Sequence, residues 1–360
     1  QTDILGTVVS AFGTTNSTIY DGQTSVGAIT GEAIHFWETV LSSGIGYVMI
    51  RSSDGTGWYY ASDSMAVLSY TGTTHTNTTL DTLGSTAGMY SGQLIAKADI
   101  PVGTRILSVD SATSITMTAA ATGSAAGAVT KTPIAKILDA DFITTGTNKS
   151  GFVDLDGYLF YCSEDGYAYH SDLNTVHLYT ATNKIAANSS ADLPVAIGKQ
   201  DEKIIVFGSA SIQLFNNAGN ATGSVLNNYG NPKLVGIQNQ RSLAALEDDL
   251  YFVSSARSGD LKVKKMSHLA VGDISTPHIE RILGTANASG SSIYLSAFTL
   301  GGYPYILAHV LSQIVDGTNY FLQTESDFNV LLETGDKIIL EQAQASTTGL
   351  SRELVYNAAL

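Results

Sequence analysis

The chain has 360 residues, with 18 Lys and Arg against 32 Asp and Glu, a formal net charge of −14 and a pI near 4.7. A chain this acidic lacks the clustered cations that hold a nucleic-acid backbone by displacing its counterions. The single cysteine, Cys162, excludes an intrachain disulfide framework and a cysteine-built zinc site.

The length suits one large all-β domain or two ordinary ones. Only 14% of the residues are charged, and Thr, Ser, Gly and Tyr are abundant, which favours short strands and turns over helices. No stretch approaches about 18 consecutive apolar residues, so no membrane-spanning helix is expected. No basic-then-apolar leader is read at the N-terminus.

Taken in order, the first seventy residues read as a meander. Strands are expected over 33–41 (AIHFWETVL), 46–51 (GYVMIR) and 58–61 (WYYA), the last two joined by a turn at Asp54-Gly55-Thr56-Gly57. Trp37, Trp58, Tyr59 and Tyr60 offer either a sugar-binding platform or, as aromatics that dominate burial, a wedge between neighbouring sheets. Residues 71–92, polar and threonine-rich, read as an exposed connection with His75 on the surface. A compact β unit follows over 88–130, carried by IPVGTRILSVDSATSITMTAAAT, and it resembles a small module that recurs in phage virion proteins. It is read as an insertion that splits a propeller into two segments, 1–87 before the module and 131–360 after it.

From 151 the pattern is strand, tight turn, strand. Asp156-Gly157 and Asp165-Gly166 sit between apolar runs, and Gly accepts the positive φ that hairpin turns demand. Cys162, beside Phe160 and Tyr161, reads as a small buried hydrophobe. Further strands are expected at 204–207, 212–215, 243–246, 250–253, 293–295, 303–307 and 320–322. The run 329–341 reads as a short hairpin repeat. Around Leu261, Val263 and Met266, residues Lys262, Lys264 and Lys265 alternate, as on a half-buried strand whose basic face meets solvent or an acidic partner subunit. Sheets recurring every 45 to 50 residues or so mark propeller blades, and the roughly 315 residues left without the insert allow about six or seven. The expected fold is all-β and β-propeller-like, with the small β module inserted.

Chemistry-bearing motifs are sparse. Asp154-Leu155-Asp156-Gly157 opens like a calcium loop but lacks the downstream ligands, which leaves a hairpin turn. The seven histidines, at 35, 75, 170, 177, 268, 278 and 309, form no metal-ligand pair with a third ligand nearby. Glu247-Asp248-Asp249 falls on a turn, where a solvated corner is the plain reading. No catalytic residue, cofactor or metal is therefore assigned, and the chain reads as non-enzymatic.

Residues 139–280 carry an ordered set of phrases. These are Ala140-Asp141, Gly151-Phe152, Tyr169-His170-Ser171-Asp172-Leu173-Asn174, Ala191-Asp192-Leu193, and Ile205-Val206-Phe207-Gly208 through Phe215-Asn216-Asn217-Ala218-Gly219. Gly236-Ile237, Ser242-Leu243-Ala244-Ala245-Leu246 and Ile274-Ser275-Thr276-Pro277-His278-Ile279-Glu280 complete it. In order and spacing this resembles the packaged-DNA stabilisation (tail nozzle) family of short-tailed bacteriophages. Tyr251-Phe252 stands where that family has Phe-Trp.

The resemblance implies a virion protein, assembled in the host cytoplasm. Copies form a homo-oligomeric ring, usually a hexamer, below the portal and adaptor proteins and in contact with tail fibres or a spike. Genomic DNA is retained behind the ring and passes through its lumen without specific binding. A receptor- or glycan-binding tail propeller is the alternative. A propeller glycosidase is a third reading, and it needs two carboxylates about 5 to 9 Å apart in a central pocket.

Overall fold

The computed structural model describes residues 12–15, 17–21, 24–65, 69–144, 150–188, 192–255, 261–288, 292–300, 303–311 and 351–357. Among these the chain forms six antiparallel sheets and one α-helix. The expected segments 320–322 and 329–341 lie outside the described residues.

The first sheet holds β1 (Phe12–Thr15), β2 (Thr18–Asp21) and β3 (Thr24–Ala28). The second opens with β4 (Ala33–Val40), β5 (Gly46–Ser52) and β6 (Gly57–Ala61), the three strands expected from sequence. The chain then runs outward through β7 (Ser69–Thr74), β8 (Thr79–Asp81), β9 (Gln93–Ala96), β10 (Ile106–Ser111) and β11 (Ser114–Met117). It returns on β12 (Ala126–Lys136). β12 belongs to module and propeller alike. Its first half pairs with β7 from Ala126 to Thr130, and its last three residues pair with β6. One strand thus joins β7 and β9 to β6 within a single sheet.

The exposed connection expected over 71–92 is not found. β7 and β8 run through it, and Leu80 and Leu83 pack with Ile95, Ile106, Ile115, Met117 and Val129 in a core private to the module. The apolar residues here are sparse, but threonine is β-branched and fits a strand, so polarity alone misleads. The module's sheet accordingly begins at Ser69, ahead of residue 88. His75 is partly exposed, and its Nε2 lies 3.0 Å from Asp81.

The third sheet contains β13 (Val153–Leu155), β14 (Tyr158–Ser163), β15 (Tyr167–Ser171) and β16 (Tyr179–Ala186). The fourth contains β17 (Pro194–Gln200), β18 (Lys203–Gly208), β19 (Ile212–Asn217) and β20 (Leu226–Asn228). In the fifth are β21 (Gly236–Ile237), β22 (Leu243–Leu246), β23 (Asp249–Ser255), β24 (Leu261–Ser267) and β25 (Ala270–Asp273). Helix α1 (Pro277–Ala288) leads into the sixth sheet, made of β26 (Ser292–Leu300), β27 (Tyr303–Leu311) and β28 (Ser351–Asn357).

Successive sheets stack face to face. Ile19, Val26 and Ile29 of the first meet Val48, Ile50 and Trp58 of the second. Met49 and Tyr59 then meet Phe152, Tyr161 and Tyr179. Phe160 and Cys162 meet Ile197, Ile204 and Phe215. Phe207 and Ile212 meet Phe252 and Met266, and Tyr251 and Val263 meet Ile293 and Ile306. Each joint removes several large apolar side chains from water at roughly 25 cal/mol per Å², so the joints rather than single hairpins supply the stability. This is the layering of a β-propeller.

The repeat is visible in the turns that follow each innermost strand. Asp156, Asp201 and Glu247 occupy equivalent turns, 45 and then 46 residues apart, all with positive φ. At the first of them Gly157 continues at φ 81°, as the Asp-Gly pair predicts.

Helix α1 is not expected from composition. Its signals are local: Thr276 precedes Pro277, which suits the first turn of a helix because its missing N–H is not needed there. The Thr276 carbonyl accepts the Glu280 N–H, and the Ser275 hydroxyl donates to the Glu280 carboxylate at 3.0 Å. Ile279, Leu283 and Ala286 share one face and close the joint between the fifth and sixth sheets.

Candidate functional site

The innermost strands converge on a short 3₁₀ turn, Gln240–Ser242. Asn239 and Ser242 form a reciprocal cap: the Asn239 side chain accepts the Ser242 N–H at 2.9 Å, and the Ser242 hydroxyl accepts the Asn239 N–H at 3.1 Å. The cap satisfies the donors of the first turn and fixes the direction of Gln240 and Arg241.

Those two side chains reach every neighbouring sheet except the first. Gln240 is buried, and its Oε1 accepts the N–H groups of Gly151 and Ile197, each at 2.8 Å, while its Nε2 donates to the Ile197 carbonyl at 3.3 Å. Arg241 Nη2 donates to the Ala33 carbonyl at 3.0 Å and lies 2.7 Å from the Glu32 carboxylate. Its guanidinium lies over the Tyr294 ring, 4.9 Å from the centroid, and Nη1 donates to the Tyr294 hydroxyl at 3.0 Å. The turn that leads into the fifth sheet thereby ties the second, third, fourth and sixth together.

Beside it the second and third sheets meet through β4 and β13. The Phe152 N–H donates to His35 Nδ1 at 3.2 Å, and Trp37 Nε1 donates to Asp154 Oδ1 at 2.8 Å. The His35 and Trp37 rings stack at 6.2 Å, and Lys199 Nζ lies 3.9 Å from the far oxygen of Asp154. The packing around His35 withholds water from a charged ring and lowers its pKa to about 4. Above this lies Arg51, almost wholly buried, with its guanidinium facing the rings of Phe142, Tyr161 and Phe152 at 4.9, 5.1 and 5.8 Å. Its Nη2 donates to the Ile143 carbonyl at 3.2 Å, while Nε and Nη1 find no acceptor among the described residues. Burial lowers its pKa, partly opposed by neighbouring tyrosines. This junction pairs no nucleophile with a base. It is a set of ties between sheets.

The residues singled out from sequence are used elsewhere in the same spirit. Trp58 and Tyr59 are each 1% exposed and Tyr60 6%, so this trio is a wedge and not a sugar platform. Trp58 Nε1 donates to Thr56, and Arg105 and Lys136 cover its ring. Asp154, on β13, receives Trp37, and Asp156, at the following turn, accepts the Asn217 side chain at 2.8 Å across to the fourth sheet. Among the described residues no group of three His, Cys, Asp or Glu could hold a metal.

His170 is buried between the Ser171 carbonyl and the Val225 N–H, and His177 stacks on Tyr59. Glu247 and Asp248 are exposed at their turn, and Asp249 pairs with Lys265 at 2.6 Å. The basic face of β24 is met from within the chain. Lys262 pairs with Asp273 and Glu280, and Lys264 with Asp273. Burial pushes the Cys162 thiol up to about 12, which makes it inert. Sequence reasoning missed Gln240, Arg241 and the roles of His35 and Trp37. The Asn239-x-x-Ser242 capping pattern was the one legible hint.

The cations are largely consumed inside the chain. Lys97 pairs with Asp99, Lys131 is buried against backbone carbonyls, and Lys184 and Lys203 lie over tyrosine rings.

Comparison with known proteins adds the following. Residues 145–315 match the family model Phage_stabilise, described as bacteriophage P22 Gp10, beta-propeller. No curated protein matches the chain. Among solved structures, BamB from Moraxella catarrhalis is similar at 10% identity and a TM-score of 0.36, over 89% of this chain and 88% of that one. The computationally designed Ika8 protein is similar at 11% identity and a TM-score of 0.29, over 83% and 92%. Likenesses this loose carry no functional argument.

Proposed function

We propose that the chain, whose residues 145–315 match the phage stabilisation family model, is a structural protein of the bacteriophage tail and that its copies form a nozzle ring below the portal and adaptor. In this reading the ring retains packaged DNA, conducts it during ejection and catalyses nothing. Its other contacts are tail fibres or a spike. The family match carries the proposal. Gln240 and Arg241 tie neighbouring sheets together, which fits a DNA conduit that runs between subunits rather than through one of them. Internal pairing of the lysines and arginines fits a lumen along which phosphate slides without being held.

The test is the mass of the purified chain, alone and with portal and adaptor proteins, by native mass spectrometry. A closed ring several times 37.8 kDa is expected, near six copies. Duplex DNA should not be retained by that ring even at low salt. A chain that stays monomeric with both partners present would overturn the reading, as would DNA affinity that falls steeply with salt.

A further inference from the structure

One hydrogen bond at the joint between the second and third sheets depends on an imidazole being neutral. His35 Nδ1 accepts the Phe152 N–H at 3.2 Å, so the ring proton sits on Nε2. A protonated ring carries hydrogens on both nitrogens and has no lone pair for Phe152. It cannot rotate into a second donor geometry without losing the contact, because Gly151 lies against Cγ, Nδ1 and Cε1 on one side and Trp37 stacks on the other.

Burial disfavours a cation there, and the charged groups on the neighbouring elements are engaged elsewhere. From β5, Arg51 stands opposite His35 in the register, buried and with only one described acceptor. From the 3₁₀ turn, Arg241 is the second cation, and Glu32 on the approach to β4 is already paired with it. From β13, Asp154 is the nearest carboxylate in sequence to the contact, and it is engaged by Trp37 and Lys199. Asp54 is held in its own turn by Ser52, Thr30 and Thr56.

We propose that His35 is an acid-sensitive latch between β4 and β13: proton uptake releases the Phe152 amide and loosens the local contact between these two strands, while the apolar core of the joint and the pairing within each sheet persist. The trigger is the proton alone. The contact lies within one chain, so the latch does not depend on the nozzle reading.

Two measurements on the full chain test it. Selective labelling of histidine and an NMR titration should show the His35 ring neutral down to about pH 5, with its midpoint near 4. A midpoint above 6 overturns the proposal. Amide exchange, corrected for its intrinsic pH dependence, should rise on going from pH 7 to pH 4.5 in peptides covering 33–40 and 150–155 and remain unchanged within β17 to β19. In His35→Asn, whose amide oxygen can accept from Phe152 without titrating, that rise should vanish. An equal rise in the variant, or exchange increasing across the whole chain at once in the wild type, overturns the latch. Should the variant fail to fold, the titration decides alone.

Discussion

Gly151 lies directly against the His35 imidazole, so closely that a Cβ at position 151 would fall inside the van der Waals envelope of Cγ and Nδ1. The neighbour is a ring held by its own hydrogen bond and stack, not the free end of a flexible chain. Gly151→Ala should therefore destabilise the protein by about 2 kcal/mol, as overpacking of a fixed contact does. Denaturant unfolding checks this. The double variant Gly151→Ala with His35→Ala should be less unstable than the sum of its parts, because removing the ring makes room for the methyl group. Simple additivity would show that the two do not touch in solution.

Gln240 satisfies three backbone groups on two other sheets with one amide. Gln240→Leu keeps the volume and strands the Gly151 N–H, the Ile197 N–H and the Ile197 carbonyl away from water. Unpaired buried groups cost about 1 to 3 kcal/mol each, partly relieved by relaxation, so a loss of about 3 kcal/mol is expected. The urea midpoint should fall with the slope unchanged, since the surface exposed on unfolding is the same.

Arg51 separates two costs that are often merged. Its charge is buried without a carboxylate partner, yet its stem and guanidinium fill the space between Phe142, Phe152 and Tyr161. Arg51→Met retains most of the packing and removes the desolvation cost. Its effect should lie within about 1 kcal/mol of neutral and on the stabilising side. Arg51→Ala leaves a cavity among three rings and should lose about 3 kcal/mol. Thermal unfolding of the two variants side by side discriminates. If both lose equally, the cation–ring contacts dominate.

Lys131 gives stability a dependence on alkaline pH. Its Nζ donates to the carbonyls of Ser64 and Gly88, at 2.6 and 2.5 Å, at the junction of module and propeller. Burial lowers its pKa from 10.5 to about 8. Between those values the unfolded chain holds the proton and the folded chain does not, so stability rises as pH rises from about 8. The buried tyrosines act in the opposite sense. Tyr59 and Tyr60 have pKa values raised by burial, so above about pH 10 the unfolded state gains by ionising and stability falls. Urea unfolding across pH 7.5 to 10.5 should give a maximum near pH 10. In Lys131→Met the rising limb should be absent while the fall remains.

Much of the architecture was open to reading in the chain. Asp156-Gly157 announced a tight turn, and the strands beside it were recognisable because aromatic and β-branched residues flank glycine at short spacing. The blade period emerged as the interval between Asp156, Asp201 and Glu247. Two local features escape such a reading. β7 and β8 hide their few buried residues, Leu80 among them, within threonines. Helix α1 interrupts a β pattern with signals only one turn long.

The sequence by itself determined the all-β fold, the repeat and the match of residues 145–315 to the phage stabilisation family model, because turn chemistry and apolar alternation act between near neighbours. Tertiary structure alone decided what ties the sheets together. The pairs that do so, Arg241 with Ala33, Gln240 with Gly151 and His35 with Phe152, are separated by 208, 89 and 117 positions. No local pattern marks a glutamine, an arginine or a histidine for such a role. Each takes it only once the sheets have stacked and brought unpaired backbone groups within its reach.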